Sequence, residues 1–252
     1  RPIAPAAPAY PDPQKIEATA ALLAQAEQPL IITRSVGSNP RAVSALVALA
    51  DSFALPVIEY PLPQYANFPG DHPLHLGFDP GRAIEPADLI LVIESDVPWL
   101  PSAHKPNPQA RVVHIGIDPL YSRYPIWGFP AHVAITAEPE IALKLLTAAL
   151  AKHRFACEAK IAGRFEQARA EHNKQRESWS EEALRKSELP RINLEWLSHC
   201  LNQLADRETI IVNEYDLRLH HFTIRTPGSY FSHSPAGCLG WGVGAALGVK
   251  LA

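Results

Sequence analysis

The feature that most constrains this chain is an alternation of short, unbroken apolar runs with longer amphipathic segments. The runs Pro29-Leu-Ile-Ile-Thr33, Pro56-Val-Ile-Glu59, Asp88-Leu-Ile-Leu-Val-Ile93 and Arg111-Val-Val-His-Ile-Gly-Ile117 carry apolar residues at successive positions. A strand with one wet face alternates polar and apolar residues. One that is apolar throughout is buried on both faces, as in a parallel sheet covered by helices. Helical segments sit between these runs. Asp12-Pro13 supplies an N-cap and a first-turn proline to a helix carrying Ile16, Leu22 and Leu23. Asn39-Pro40 does the same for a helix with Val43, Leu46, Val47 and Ala50 on one face. A last strand near Val133–Thr136 leads into an amphipathic helix over 138–151. The pattern predicts an α/β fold, a Rossmann-like doubly wound parallel sheet over residues 13–152.

The flanking segments differ in character. Residues 1–12 are rich in Pro and Ala without helical or strand period, which suits an extended interdomain linker or, alternatively, a frayed tail. Residues 153–190 are rich in Lys, Arg, Glu, Gln and His, with sparse apolar anchors at Phe155, Ile161, Phe165 and Trp179. They predict a helical linker of about 30 residues, spanning about 45 Å along a domain surface. From residue 191 a new pattern starts, with a helix over 193–204, a buried strand over 209–213, a loop, and a Gly- and Ala-rich helix over 237–252. That is too little for a doubly wound sheet, so residues 191–252 predict an incomplete second α/β domain. The chain has no methionine and opens Arg1-Pro2, which also predicts a segment of a longer polypeptide.

Composition narrows the function. A net charge of −3 on 252 residues gives no electrostatic reason for a nucleic-acid or anionic membrane partner. No apolar run reaches the roughly 18 residues of a membrane span. Cys157, Cys200 and Cys238 are scattered and odd in number, which points to a reducing, cytoplasmic setting rather than a disulfide framework.

Three segments, in order and covering nearly the whole chain, resemble the acetolactate synthase family of thiamine diphosphate (ThDP) enzymes, which includes benzoylformate and pyruvate decarboxylases. They are Phe68-Pro-Gly-Asp-His-Pro-Leu-His-Leu-Gly77, Val113-His-Ile-Gly-Ile-Asp-Pro119 and Gly237-Cys-Leu-Gly-Trp-Gly-Val-Gly-Ala-Ala-Leu-Gly-Val-Lys-Leu-Ala252. The resemblance implies a central domain at 13–152 and the start of a diphosphate-binding domain near 190. It implies a decarboxylase or carboligase acting on a small 2-oxoacid with ThDP and Mg²⁺, assembled as a homodimer or homotetramer. The glutamate that activates the cofactor would precede Arg1, and the Gly-Asp-Gly…Asn metal motif would follow Ala252. The chain alone is therefore expected to be inactive and to contain no catalytic residue of its own.

By the same resemblance, Glu214, Tyr215 and Asp216 would approach the diphosphate with backbone N–H groups, and Asn213-Glu214 is closest to the decarboxylase branch. An acidic pair beside a diphosphate requires side chains that turn away, or a neutralising cation. The carbonyl of Gly237 would accept from the aminopyrimidine. Leu239 would wedge under the bend of the cofactor, next to Cys238 and Gly240. Gly240, Gly242, Gly244 and Gly248 would let the helix pack closely against strand and cofactor. The central domain holds FAD in acetolactate synthases and ADP or nothing in other members. Here Thr33-Arg-Ser-Val-Gly-Ser-Asn39 and Glu94-Ser-Asp-Val-Pro-Trp99 lack the family's glycine-rich turns, which counts against a flavin. Thr33, Arg34, Ser35 and Asp118 are the candidates for any nucleotide held there.

Other readings leave specific signatures. The Gly240–Gly244 run also suits a tightly packed helix without ligand; a dinucleotide fingerprint would need a strand leading directly into the glycines. A sirtuin-like deacylase needs paired Cys-x-x-Cys zinc ligands, and a serine hydrolase needs a Gly-x-Ser-x-Gly elbow; neither is present. His72 with His75, and His220 with His221, lack a carboxylate or Cys at metal-site spacing. A non-catalytic nucleotide-binding or assembly domain remains as the second class.

Overall fold

The computed structural model describes residues 4, 6–215, 217–232 and 239–252, and for 155–157 the backbone only. Helix α1 (Pro13–Gln25) begins where its cap places it, the Asp12 carboxylate accepting the N–H of Gln14 at 2.9 Å. Strand β1 (Pro29–Thr33) follows, and α2 (Pro40–Phe53) is capped by Asn39, which accepts the N–H of Arg41. Next come β2 (Val57–Glu59), a one-turn helix α3 (Gly81–Ile84), β3 (Leu89–Ile93) and β4 (Arg111–Gly116). β5 (Val133–Thr136) and α4 (Pro139–Ala151) complete this part.

The five strands form one sheet in the order β2-β1-β3-β4-β5, with every neighbouring pair parallel. Successive side chains leave a strand on opposite faces, and both faces are used. Ile31, Leu91 and Val113 join a core with α1, α2 and α4, whereas Ile32, Ile90 and Val112 join a second core with Ile84 of α3 and Trp99. This two-sided burial is why the strand sequences are continuously apolar. Each of the fully buried Leu, Ile and Val side chains in β3 contributes about 1.5–3 kcal/mol from leaving water.

The linker is a single helix, α5 (Arg154–Ser187), of 34 residues. Its Ile161 and Phe165 pack on the first core, and Ala168 is buried there. Helix α6 (Leu194–Leu204) starts at Asn193, whose side chain accepts the N–H of Trp196. Strand β6 (Ile211–Asn213) pairs in parallel with β7 (Tyr230–Ser232), and α7 (Trp241–Leu251) ends the chain.

Two expectations need correction. The strand expected as buried over 209–213 begins at Ile211 and is only half-buried, because the sheet it joins has two strands. β7 was not anticipated: three residues are too few to display a period. Leu197, Leu201 and Leu204 of α6 and Val243, Leu247 and Leu251 of α7 stand exposed. No helix among the described residues is long and apolar enough to cross a membrane.

Candidate cofactor-facing site

The site expected around residues 214–216 and 237–240 is built where β6 ends and α7 begins. Gly240 precedes α7 with φ +91°, a left-handed conformation that only glycine adopts without strain. That turn aims the first N–H groups of the helix at the end of β6. Glu214 answers them: its carboxylate accepts the N–H of Gly240 and, at 2.8 Å, that of Gly242. A helix N-terminus favours negative charge, so the pair of bonds caps α7 and holds the carboxylate in place. The approach is close enough that a Cβ at residue 242 would lie 2.7 Å from Glu214 Oε2. By contrast, among the described residues nothing lies within 4 Å of a Cβ at Gly240, Gly244 or Gly248, and the close packing expected of the glycines is seen there at Gly242.

Leu239 and Tyr215 flank this junction with side chains 80% and 75% exposed. Asp216, Gly237 and Cys238 lie outside the described residues. The arrangement fits a bound ThDP in two respects. The Glu214 carboxylate is turned into α7 and satisfied there, which meets the condition for an acidic residue beside a diphosphate. Leu239 offers an exposed apolar side chain, as contact with a cofactor requires. Among the described residues, no group of three or more His, Cys, Asp or Glu could hold a metal ion.

The nucleotide candidates lie at the C-terminal ends of β1 and β4, around the point where the winding of the sheet reverses. Ligands bind there in open α/β sheets. Arg34 pairs with Asp96 at 3.0 Å, and the Ser35 N–H donates to the carbonyl of Glu94 at 3.1 Å. The Asp118 carboxylate accepts the N–H of Ser122 at 3.1 Å, and Thr33 is fully buried. Glu94 occupies the crevice itself. Its carboxylate accepts the N–H of Ile117 at 2.8 Å and sits 2.7 Å from where a Cβ on Gly116 would be. Its backbone is left-handed, with φ 47°, a strained conformation for a non-glycine residue that the Ser35 and Ile117 contacts hold in place. Burial, with Glu138 and Asp118 nearby, raises the pKa of its carboxyl. Arg34, the one cation among the nucleotide candidates, is thus already paired with Asp96.

The 68–77 segment plays a part that the sequence did not reveal. His75 is fully buried. Its Nε2 is 3.0 Å from Glu59 Oε1, and its Nδ1 meets the guanidinium of Arg176 at 2.8 Å. Arg176 can only donate, so Nδ1 accepts and the imidazole proton resides on Nε2, directed at Glu59. Burial pushes the pKa of His75 down, which keeps the ring in this neutral form. Arg176 also donates to the Gly70 carbonyl, and burial lowers its own pKa to about 10, still fully charged at neutral pH. His172 bonds the His75 carbonyl at 2.8 Å. The histidine-rich loop is therefore the socket into which α5 docks. The partners come from residues about 100 positions apart, which no local motif could have indicated.

Comparisons with known proteins agree with this architecture. Over 100% of its length the chain superposes on a Mycobacterium smegmatis protein described as a thiamin diphosphate-dependent enzyme, at TM-score 0.73 and 20% identity. Over 99% it superposes on the benzoylformate decarboxylase of Polynucleobacter necessarius, at TM-score 0.71 and 18% identity. It spans 47% and 45% of those two chains, respectively. No curated protein sequence matches it. The family model "Thiamine pyrophosphate enzyme, central domain" matches residues 16–146, more than half of the 252. Carrying that domain, the chain belongs to the thiamine pyrophosphate-dependent enzymes.

Proposed function

We propose that this chain is the central and cofactor-facing part of a ThDP- and Mg²⁺-dependent decarboxylase or carboligase acting on a small 2-oxoacid. In this reading residues 13–152 are the central domain, 1–12 and 153–190 are linkers, and 191–252 open the diphosphate-binding domain. The observation that carries it is the junction of Glu214 with the N-terminus of α7, set behind a central domain of this family. When bound, ThDP supplies a carbanion-stabilising thiazolium to the reaction.

The residues of this chain position rather than transform. The backbone of Glu214, Tyr215 and Asp216 faces the diphosphate, with the Glu214 charge absorbed by α7. Leu239 supports the bent cofactor beside Gly237, Cys238 and Gly240. In this reading no residue of the chain activates the cofactor or ligates the metal. A flavin or ADP in the central domain is the disfavoured part of this reading, with Arg34 paired to Asp96 and the glycine-rich turns missing. The complete enzyme is a cytoplasmic homodimer or homotetramer.

Two measurements test the reading. The protein encoded by the complete reading frame should turn over a 2-oxoacid only with added ThDP and Mg²⁺. This chain alone, titrated with ThDP and Mg²⁺, should show no measurable affinity. Absence of ThDP-dependent turnover in the former, or tight Mg²⁺-dependent binding by the latter, would overturn it.

A further inference from the structure

The socket that receives α5 holds a titratable ring in a position that suits only its neutral form. Both ring nitrogens of His75 are committed, Nε2–H to Glu59 Oε1 at 3.0 Å and the Nδ1 lone pair to the Arg176 guanidinium at 2.8 Å. A proton added to this ring can go only to Nδ1. There it removes the acceptor that Arg176 uses and sets imidazolium against guanidinium in a fully buried site. Arg176 stays charged at neutral pH and below, so it cannot relieve the conflict.

The docking of α5 is built around this pair. Arg176 also donates to the Gly70 carbonyl, and its guanidinium lies 4.7 Å from the centre of the Trp179 ring. Trp179 packs on Gly77, where φ is +86° and a Cβ would come within 3.0 Å of the indole. One turn before Arg176, His172 bonds the His75 carbonyl at 2.8 Å. The neighbouring charges are engaged elsewhere. Glu59 on β2 also accepts from the Asn67 amide, His72 pairs with Asp51 at 3.0 Å, and Asp71 pairs with Arg225 at 2.9 Å. Past Phe78 and Trp179 lie His220 and His221, the latter 3.7 Å from Glu182. Burial pushes the pKa of His75 down against the opposing pull of Glu59, and it lowers those of His172, His220 and His221 as well.

We propose that the His75–Arg176 pair is a proton-operated latch, in which docking of residues 172–182 on the 68–77 loop and protonation of His75 exclude each other. The released ring takes up its proton near pH 6.5, so docking is at full strength above that value. Below it, docking weakens as the pH falls, approaching tenfold per pH unit for one proton until the docked ring itself is protonated. Because α5 precedes the segment that carries β6 and α7, acid loosens one of the attachments of that segment to the central sheet. The inference rests on the packing of α5 and not on the cofactor reading.

Two measurements on the whole chain test it. Native-state amide exchange over 172–182, corrected for the intrinsic pH dependence of exchange, should show an opening constant about tenfold larger at pH 5.5 than at pH 7.5. The segment should also exchange ahead of β3, since the opening is local. Nitrogen NMR of the wild-type histidines should find His75 Nδ1 unprotonated at pH 7.5, with its protonation coinciding with that opening. His75→Asn keeps an acceptor for Arg176 without a titrating ring, and its opening constant should change by less than about twofold over the same range. A protonated His75 beneath a still protected 172–182 segment, exchange of that segment in step with β3, or an undiminished pH dependence in His75→Asn would each overturn the proposal. The NMR titration needs no variant, so it decides the matter even if His75→Asn fails to fold.

Discussion

Lowering the pH from 7.5 to 4.5 should destabilise the central sheet through one histidine whose burial can be read strand by strand. His114 lies in the middle of β4 with 1% of its surface exposed, between β3 and β5. Its Nε2 is 3.0 Å from the Pro130 carbonyl, and its ring meets Trp127 edge-on at 5.3 Å. A carbonyl only accepts, so Nε2 carries the proton of a neutral ring. Burial pushes the pKa of this imidazole down to about 4, the Pro130 bond opposing the shift in part. The unfolded chain takes up its proton near pH 6.5, the folded chain only near 4. Stability from this group is complete above pH 6.5 and declines as the pH falls toward 4. The linkage gives a loss of about 1.4 kcal/mol by pH 5.5 and about 2.5 kcal/mol by pH 4.5.

The perturbation that isolates this residue is His114→Gln, which retains an N–H donor for Pro130 without a titrating group. Urea denaturation of both proteins at half-unit pH steps gives two stability curves. Their difference should open below pH 6.5 and approach about 2.5 kcal/mol at pH 4.5. His75, His172, His220 and His221 also have pKa values lowered by burial, so wild type and variant should both lose stability in acid. Parallel curves for the two proteins would refute the assignment of the shift to His114.

Other perturbations probe the remaining contacts. Glu59→Ala removes the acceptor for His75 Nε2–H and for the Asn67 amide, both buried, and should cost about 3 kcal/mol in chemical denaturation. Gly242→Ala drives a methyl group into Glu214 and should abolish the Gly240 and Gly242 caps, detected as a loss of amide-exchange protection at those two residues, with a cost of about 1 kcal/mol. Asn39→Ala removes the α2 cap together with its side-chain bond to Glu138, and thermal unfolding should report a loss of about 1–2 kcal/mol.

What was legible in the sequence is what local physics dictates. The caps at Asp12 and Asn39 act on residues two positions away, so their side-chain chemistry announces them. The two-sided burial of β1, β3 and β4 is written in consecutive apolar residues, which led to the parallel sheet. The helical character of the linker over 153–190 was visible, but its docking was not. His75 meets Glu59, Arg176 and His172 only after the chain has folded back, so the 68–77 motif could be matched to a family without disclosing its work. The acidic filling of the nucleotide crevice was half visible. Missing glycines in the turns counted against a flavin, whereas the reach of Glu94 across to Gly116 depends on the register of β3 with β4. At the candidate cofactor site, Glu214 read as a potential electrostatic problem, and its resolution by α7 required the three-dimensional turn at Gly240.

The long α5 has a mechanical consequence. Near its start it rests on α1 and α2, and near its end it touches α6 and the turn at Leu219–His221. A helix of 34 residues is about 51 Å long. Between those two ends the Arg176 socket fastens it to the 68–77 loop. The segment that follows is tied to the central domain a second time, the N–H of Gly70 donating to the Ile224 carbonyl at 2.7 Å and that of Ser232 to the Gln64 carbonyl at 2.9 Å, so α5 acts as a brace along a joint that is closed at both ends.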